Sequence, residues 1–479
     1  MNYSMIRYLL GWIFFLCGFF LLLPCIVAIY YKETAGMYYL ACALICLLTG
    51  FLSIRKRPVR RIFYTKEGFV TVSLSWLLLS LIGAVPLWSS GEIPLFVDAL
   101  FETVSGFTTT GASILADVEA LSHCAIFWRS FTHWIGGMGV LVFLLTILPL
   151  TDGSNMNLMR AESPGPSISK LVPKLKKTAL ILYAIYGVLT VIQTILLLAG
   201  HLSFFEAVTL TFGTVGTGGF GIVNDSMMSY SPYIQNVITV FMLLSGVNFS
   251  IYFLLLIIKP GDIFKNEELR LYIIIVFSSI AAITVNIRHM FGSLSEAVRH
   301  AAFQVASVIT TTGYSTFDYD TWPELSKTIL IMLMFTGACA GSTCGGIKLS
   351  RILIFIKTFF RELSYYVHPR STKHVRLNGK PLDENVLRSV HVYLIAYVII
   401  FAGSLLLISL NGFDFTTNFT AVAATLNNIG PGFGLVGPNC NFSQFSIFSK
   451  LLFIFNMLAG RLELFPLLLL ITPSTWKKY

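Results

Sequence analysis

Four segments of this chain each follow an apolar stretch and carry a glycine preceded by small, often hydroxylated residues. The segments are SGFTTTGAS at 105–113, FGTVGTGGF at 212–220, VITTTGYS at 308–315 and LNNIGPGFG at 426–434. They recur at nearly equal intervals, which predicts four related units around one axis. A repeated glycine-bearing loop is what an ion selectivity filter needs, because converging carbonyl oxygens replace the hydration shell of an ion.

The composition excludes an ordinary soluble protein. Of the 479 residues, 55% are hydrophobic and only 12% are charged, and the mean hydropathy is +0.77. These values predict an all-α polytopic membrane protein. About ten apolar stretches approach the roughly 20 residues that a membrane span requires. They run over 8–30, 37–54, 69–88, 124–148, 178–199, 233–258, 269–288, 326–345, 389–410 and 446–471.

The net charge of +10 is distributed unevenly along the chain. With the amino terminus inside, both termini and the basic loops 55–68, 149–177, 259–270 and 347–388 fall on one side. This asymmetry follows the positive-inside rule and places both termini in the cytoplasm. We therefore expect the basic loops to set the topology in the lipid bilayer, and we expect no nucleic-acid partner.

The repeat divides the chain into a leading hairpin and four units. The predicted bounds are 1–66 for the hairpin and 67–150, 171–260, 267–362 and 385–479 for the units. Each unit contains a span, a short apolar segment that ends at the repeated glycine, and a second span.

The short segments cover about 94–110, 203–217, 294–312 and 414–429, which is too short to cross a bilayer. They are predicted to be four re-entrant pore helices. Their carboxyl ends carry partial negative charge, so four converging ends favour a cation. The alternative is a set of surface amphipathic helices with turn glycines.

Several long strings extend the pattern beyond the glycine segments. They are WIGGMGVLVFLLTILPL at 134–150, RAESPGP at 160–166, GACAGSTCGGIK at 337–348 and GRLELFPLLLL at 460–470. With them, essentially the whole chain resembles the Trk/Ktr/HKT potassium transporters, most closely the bacterial Trk branch with its leading hairpin.

The resemblance implies four membrane–pore–membrane units with approximate fourfold symmetry in a bacterial inner membrane. It also implies a homodimer with one pore in each protomer. The transported ion would be K⁺, and no cofactor would be bound covalently. Any nucleotide would bind to a cytosolic TrkA-like regulatory subunit and not to this chain.

Backbone carbonyls of the four glycine segments are the predicted potassium ligands, because glycine allows the torsions that aim consecutive carbonyls at one axis. The residues are Thr109, Thr110, Gly111, Gly216, Thr217, Gly218, Thr311, Thr312, Gly313, Asn428, Ile429 and Gly430. The four loops differ in sequence, so we expect weaker selectivity than in a symmetric tetrameric channel. Some relatives with serine at the first filter position favour sodium, whereas this chain has Gly111 there.

A run of small residues interrupts the second span of the third unit. It consists of Gly337, Ala338, Cys339, Ala340, Gly341, Ser342, Thr343, Cys344, Gly345 and Gly346. Each interior glycine costs a helix about 1 kcal/mol relative to alanine, so a continuous helix is disfavoured. The run could serve close helix packing. The resemblance implies a gate loop below the filter.

Arg461 is the one basic residue that the sequence places deep in a predicted span. Burying it without a partner would be costly, so it should face water or a partner. The resemblance implies a barrier to cations beneath the filter. The alternative is a structural ion pair with Glu463, although that residue lies on a different face of the helix.

Other polar residues receive simpler interpretations. Glu102 is expected to anchor the first pore helix by hydrogen bonds, and His133 is expected to be packed. Asp318 and Asp320 are expected at the outer mouth. This pair is also the sole candidate site for the rival function of a lipid-linked transferase. A sodium-coupled or sodium-permeable member of the same superfamily remains a further alternative.

Overall fold

The computed structural model describes residues 1–56, 58, 65–139, 175–256, 265–370 and 373–476. This part of the chain is mostly helical, with one short antiparallel hairpin formed by β1 (Arg376–Leu377) and β2 (Lys380–Pro381). The helices are α1 (Tyr3–Tyr31), α2 (Gly36–Arg55), α3 (Thr65–Ser89), α4 (Phe96–Phe107), α5 (His123–Met138), α6 (Leu175–Ala199), α7 (Phe204–Val215), α8 (Pro232–Ser245), α9 (Phe249–Leu256), α10 (Glu267–Ile287), α11 (Leu294–Ile309), α12 (Glu324–Thr336), α13 (Leu349–Val367), α14 (Glu384–Ile408), α15 (Phe415–Leu426), α16 (Ile447–Arg461) and α17 (Phe465–Ile471).

Six continuous helices in the described residues are long and apolar enough to cross a membrane. They are α1, α2, α3, α6, α10 and α14. The pair α8 and α9 passes the same criterion together but bends by 92° at its break. The predominantly helical, multi-pass character predicted from composition is confirmed.

The second spans of the second and fourth predicted units differ from the prediction. Helices end within the predicted stretches 233–258, 326–345 and 446–471, at Ser245, Thr336 and Arg461. Of these breaks, the sequence predicts only the second. In the first unit, α5 ends at Met138, and the expected stretch 124–148 continues beyond the described residues.

Left-handed backbone conformations account for two of these breaks. Gly337 follows α12 with φ of 63°, and Glu463 and Leu464 follow α16 with φ of 57° and 66°. An α-helix cannot continue through such torsions.

The short helices α4, α7, α11 and α15 coincide with the four predicted apolar segments. Side-chain caps fix three of their starts. Ser203 and Glu206 form a reciprocal capping box on α7, and Ser293 and Asp414 accept backbone hydrogen bonds at α11 and α15. These caps satisfy amides that the first helical turn leaves without partners.

The packing of the short helices follows one rule. Each contacts the helix before it, the helix after it and the second helix of the preceding unit. Thus α7 contacts α5, α11 contacts α8, α15 contacts α12, and α4 contacts α16. The last contact returns to the first unit, so these contacts form a closed cycle.

Candidate functional site

The four loops that follow the short helices turn in the same way. In each, one amide reaches back to a carbonyl five residues earlier: Thr110 to Ser105 (2.9 Å), Gly218 to Gly213 (2.8 Å), Thr312 to Ser307 (2.8 Å) and Ile429 to Ala424 (2.8 Å). The residue before each of these amides is left-handed, with φ of 53° at Thr109, 54° at Thr217, 53° at Thr311 and 56° at Asn428. The residue after each is a glycine with positive φ, namely Gly111, Gly219, Gly313 or Gly430.

This geometry corrects the register predicted for the second loop. The sequence match aligned Gly216, Thr217 and Gly218 with the other triplets, but the structure aligns Thr217, Gly218 and Gly219 with them. Gly216 is instead the C-cap residue of α7, with φ of −70°. Two consecutive glycines follow Thr217, and the sequence alone does not show which one adopts positive φ.

The four positive-φ glycines, here called the glycine ring, lie against one another's loops. A Cβ atom on each would meet a carbonyl oxygen of the next loop, at 2.1 Å from Gly111 to Gly218, 1.8 Å from Gly219 to Thr312, 2.2 Å from Gly313 to Ile429 and 2.7 Å from Gly430 to Thr110. These contacts run through all four loops and close on the first. The ring therefore requires glycine for its torsions and also for the close approach of backbone to backbone.

A cavity of about 130 Å³ borders the glycine ring. All four ring glycines line it, together with Asn224 and other residues that follow the glycines in each loop. Near its edge, the Asn224 side chain donates to Asp117 at 2.9 Å. That hydrogen bond lowers the pKa of the Asp117 carboxyl, which favours its anionic form.

A buried ion pair supports the first loop. The Glu102 carboxylate lies 2.6 Å from the Arg129 guanidinium, with both side chains almost completely buried. The same carboxylate accepts hydrogen bonds from Ser113 Oγ at 3.0 Å and the Ile114 amide at 3.1 Å. The predicted anchoring role of Glu102 is confirmed, whereas no local pattern predicted Arg129 as its partner.

Asp318 and Asp320 join the loops that follow the third and fourth ring glycines. The Gly434 amide donates to Asp320 at 2.8 Å, and the Asn439 side chain donates to Asp318 at 3.3 Å. Partial burial raises the pKa of the Asp320 carboxyl. The described residues contain no group of three or more His, Cys, Asp or Glu that could hold a metal ion. These structural bonds weaken the transferase interpretation, which depended on this pair.

The segment 337–346 is a non-helical loop between α12 and α13, as its composition predicts. Its Gly345 amide donates to Thr311 Oγ1 at 2.8 Å, directly beside the third turn. A Cβ on Gly345 would lie 2.6 Å from the Asn427 carbonyl oxygen, so the loop also abuts the fourth turn. The amino-terminal part of the loop lies at the break between α8 and α9, where the Cys339 amide donates to the Gly246 carbonyl at 3.1 Å.

Glu268 binds one residue within this loop and one just after it. The sequence did not predict this role. Its carboxylate accepts hydrogen bonds from the Ala340 amide at 2.7 Å and the Ser350 amide at 3.0 Å. Nearby, the buried Lys348 ammonium donates to the Cys344 carbonyl. The one signal in the sequence is an acidic residue in the first turn of α10.

Arg461 lies at the end of α16 and connects three parts of the molecule. Its guanidinium donates to the Thr343 carbonyl at 2.7 Å and to the Gly136 and Gly137 carbonyls at 2.5 and 3.0 Å. Glu463, the partner considered from the sequence, pairs with Arg351 at 2.5 Å. Arg461 thus bridges the loop 337–346 and the carboxyl end of α5.

Comparisons with known proteins identify the family of this chain. The family model for TrkH, described as a cation transport protein, matches residues 38–478. The Trk system potassium uptake protein TrkH of Escherichia coli K12 is 35% identical over 486 residues, which covers all of both chains. The protein TrkG of the same strain is 32% identical over 490 residues, again with full coverage of both chains.

The structural comparison extends over the same range. The crystal structure of the potassium transporter TrkH from Vibrio parahaemolyticus superimposes with a TM-score of 0.87 at 31% identity and covers 100% of both chains. The family resemblance stated from the sequence is therefore confirmed. The chain belongs to the TrkH family of cation transport proteins.

Proposed function

We propose that this protein takes up potassium across the bacterial inner membrane through a channel-like pore, with the glycine ring at its selectivity filter. The observation that carries the proposal is the closed series of contacts in which each ring glycine touches a carbonyl of the next loop. Such an arrangement gathers backbone oxygens around one axis, where they can replace the water around K⁺. The names of the relatives, which are potassium uptake proteins, support the same ion.

The proposed architecture consists of four membrane–pore–membrane units around the pore and a peripheral two-helix hairpin. The units are 67–150, 171–260, 267–362 and 385–479, and the hairpin is 1–66. The cyclic packing of α4, α7, α11 and α15 supports this arrangement. The carboxyl ends of these helices lie next to the glycine ring, so their dipoles favour a cation there.

The proposed ligands are backbone carbonyls of the four turns. With the corrected register they belong to Thr109, Thr110, Gly111, Thr217, Gly218, Gly219, Thr311, Thr312, Gly313, Asn428, Ile429 and Gly430. The turns share one backbone geometry but carry different side chains. Because different side chains pack behind the carbonyls of the four turns, we expect moderate selectivity for potassium over sodium.

The loop 337–346 is the proposed gate, and Arg461 is the proposed barrier. The loop abuts the third and fourth turns, where it can block the path below the filter. Arg461 places a fixed positive charge at the same level and holds a carbonyl of the loop. A positive charge in a pathway of low dielectric raises the energy of a passing cation.

The proposed assembly is a homodimer whose pores are controlled by a cytosolic TrkA-like subunit that binds the nucleotide. The basic loops support cytoplasmic placement of both termini, since positive residues concentrate on the inner side. The gate then lies on the side from which a cytosolic subunit acts.

Uptake by reconstituted protein tests the proposal. Liposomes containing the purified chain should take up rubidium, and external K⁺ should compete more strongly than Na⁺ or Li⁺. Adding the regulator with nucleotides should change the rate without changing the order of the ions. Equal competition by all three ions would contradict selectivity by carbonyls, and stronger competition by Na⁺ would favour the sodium-permeable alternative.

A further inference from the structure

The second turn lacks a side chain that the other three turns have. Gly218 aligns with Thr110, Thr312 and Ile429 through their shared amide hydrogen bonds. At this position the first, third and fourth units therefore have a Thr or Ile side chain behind the carbonyl. The second unit has only a hydrogen atom there, and some other group must fill the space in a packed interior.

The imidazole of His133 fills that space from the neighbouring unit. A Cβ on Gly218 would lie 2.0 Å from His133 Nδ1 and 2.2 Å from its Cγ. His133 lies on α5, which packs against α7 in the cycle of short-helix contacts. Its side chain is completely buried, so the ring is held against the second turn from behind.

Packing contacts hold the His133 imidazole in place. It stacks on Phe220 with the ring centroids 4.2 Å apart and the planes inclined by 22°. Neither ring nitrogen has a hydrogen-bond partner among the described residues. Phe220 also lies under the Arg129 guanidinium at 4.2 Å, so the ion pair that anchors the first loop also fixes the aromatic support of the second.

We propose that His133 is a positioning residue for ion selectivity, because its ring sets the place of the Gly218 carbonyl. That oxygen is the atom closest to the Cβ position of Gly111 in the glycine ring. A shift of the second turn therefore alters the spacing between the first two loops. This inference rests on the proposed function and assigns the support of one filter turn to a residue of another unit.

Two substitutions, one that shortens His133 and one that enlarges Gly218, test the inference singly and together. His133→Ala removes the imidazole that supports the second turn. Gly218→Ala places a methyl group where the imidazole of His133 lies. Each single variant should lower the K⁺/Na⁺ selectivity ratio, measured by competition with rubidium uptake, by at least about twofold. The double variant should recover a large part of the loss, since residues in contact couple by at least about this factor.

Gly213→Ala is the matched control. Gly213 lies on α7, the short helix that precedes the second turn, but its added Cβ would meet Tyr314 Oη at 2.2 Å and not the imidazole. The defect of Gly213→Ala should therefore persist when His133→Ala is added. Rescue of both glycine variants by His133→Ala would indicate that this substitution loosens the packing of the whole region. It would overturn the inference that His133 specifically supports the second turn.

The selectivity ratio distinguishes a positioning role of His133 from a purely structural role, which would change only stability and yield. Thermal stability and yield are measured for every variant, and uptake is expressed per folded molecule. If Gly218→Ala does not fold, recovery of folded and selective protein in the double variant supports the inference. An unchanged ratio in His133→Ala, or no recovery in the double variant, overturns it. Absence of potassium preference in the wild-type protein would instead reject the proposed function.

Discussion

Replacement of Gly111 by serine should abolish most of the preference for potassium. Gly111 has φ of +78°, and its Cβ would lie 2.1 Å from the Gly218 carbonyl oxygen. An ordinary contact begins at 3.4 Å, so the oxygen would have to move by about 1.3 Å in a closely packed site. The left-handed torsion adds a strain of about 1–2 kcal/mol.

The displacement and the strain affect different quantities. Strain lowers the free energy of unfolding but does not by itself distinguish K⁺ from Na⁺. Displacement of one carbonyl removes a contact to a charged group worth about 1.5–3 kcal/mol, which corresponds to roughly tenfold or more in binding. We therefore expect the K⁺/Na⁺ ratio to fall by about tenfold while most of the protein remains folded.

Gly91→Ser is the matched control for the strain. Gly91 has φ of +81°, and no atom lies within 4 Å of its Cβ position. Serine there carries the same torsional cost without a contact in the ring. Gly91→Ser should lose only the stability that the torsion costs, and only Gly111→Ser should lose selectivity.

Rubidium uptake with competing K⁺ or Na⁺ measures the selectivity, and thermal unfolding in detergent measures the stability. The reasoning is refuted if Gly111→Ser retains the wild-type ratio. It is equally refuted if Gly91→Ser lowers the ratio as much, because strain alone would then explain the effect.

Four further changes test the proposed gate and the support of the proposed filter. Arg461→Ala should raise single-channel current, because it removes a positive charge and a bond to the loop; lower stability without a gain in current would contradict the barrier. Shortening 337–346, or the milder Glu268→Gln, should raise steady uptake and weaken dependence on the regulator, whereas low yield with unchanged flux per molecule would indicate packing alone. Glu102→Gln should lower the free energy of unfolding by about 3–5 kcal/mol, because Arg129 stays buried without its carboxylate. An unfolding midpoint equal to that of the wild type would show that the pair contributes little.

The short helices were predictable because their signals are local. Ser203 with Glu206 caps α7, and a glycine follows each helix within the same short window. The register of the second turn was not predictable, since Gly218 and Gly219 satisfy the same pattern. The contacts with the neighbouring loops distinguish them, and these contacts arise only after folding.

The broken second helices depend on contacts that hydropathy does not record. An apolar window reports composition, and the stretch 233–258 is apolar on both sides of its bend. A Cβ on Gly246 would meet the Tyr272 hydroxyl at 2.6 Å, and the Gly246 carbonyl accepts the Cys339 amide. Partners such as Glu268 and Ala340 are likewise far apart in sequence, so no local pattern joins them.

The contacts of the loop 337–346 constrain how the proposed gate could open. Thr311 and Arg461 hold the loop on the filter side, while Glu268 holds the Ala340 amide and also the Ser350 amide in the first turn of α13. Hydrogen bonds to charged groups are worth about 1.5–3 kcal/mol each, which is enough to keep the loop in place but within reach of a binding partner. A displacement of α13 must separate Ser350 from Glu268 or carry Glu268 with it, and the second movement disturbs the Ala340 contact. Glu268 therefore connects the start of α13 to the loop, which is a route by which force on this helix would reach the proposed gate without direct contact with the proposed pore.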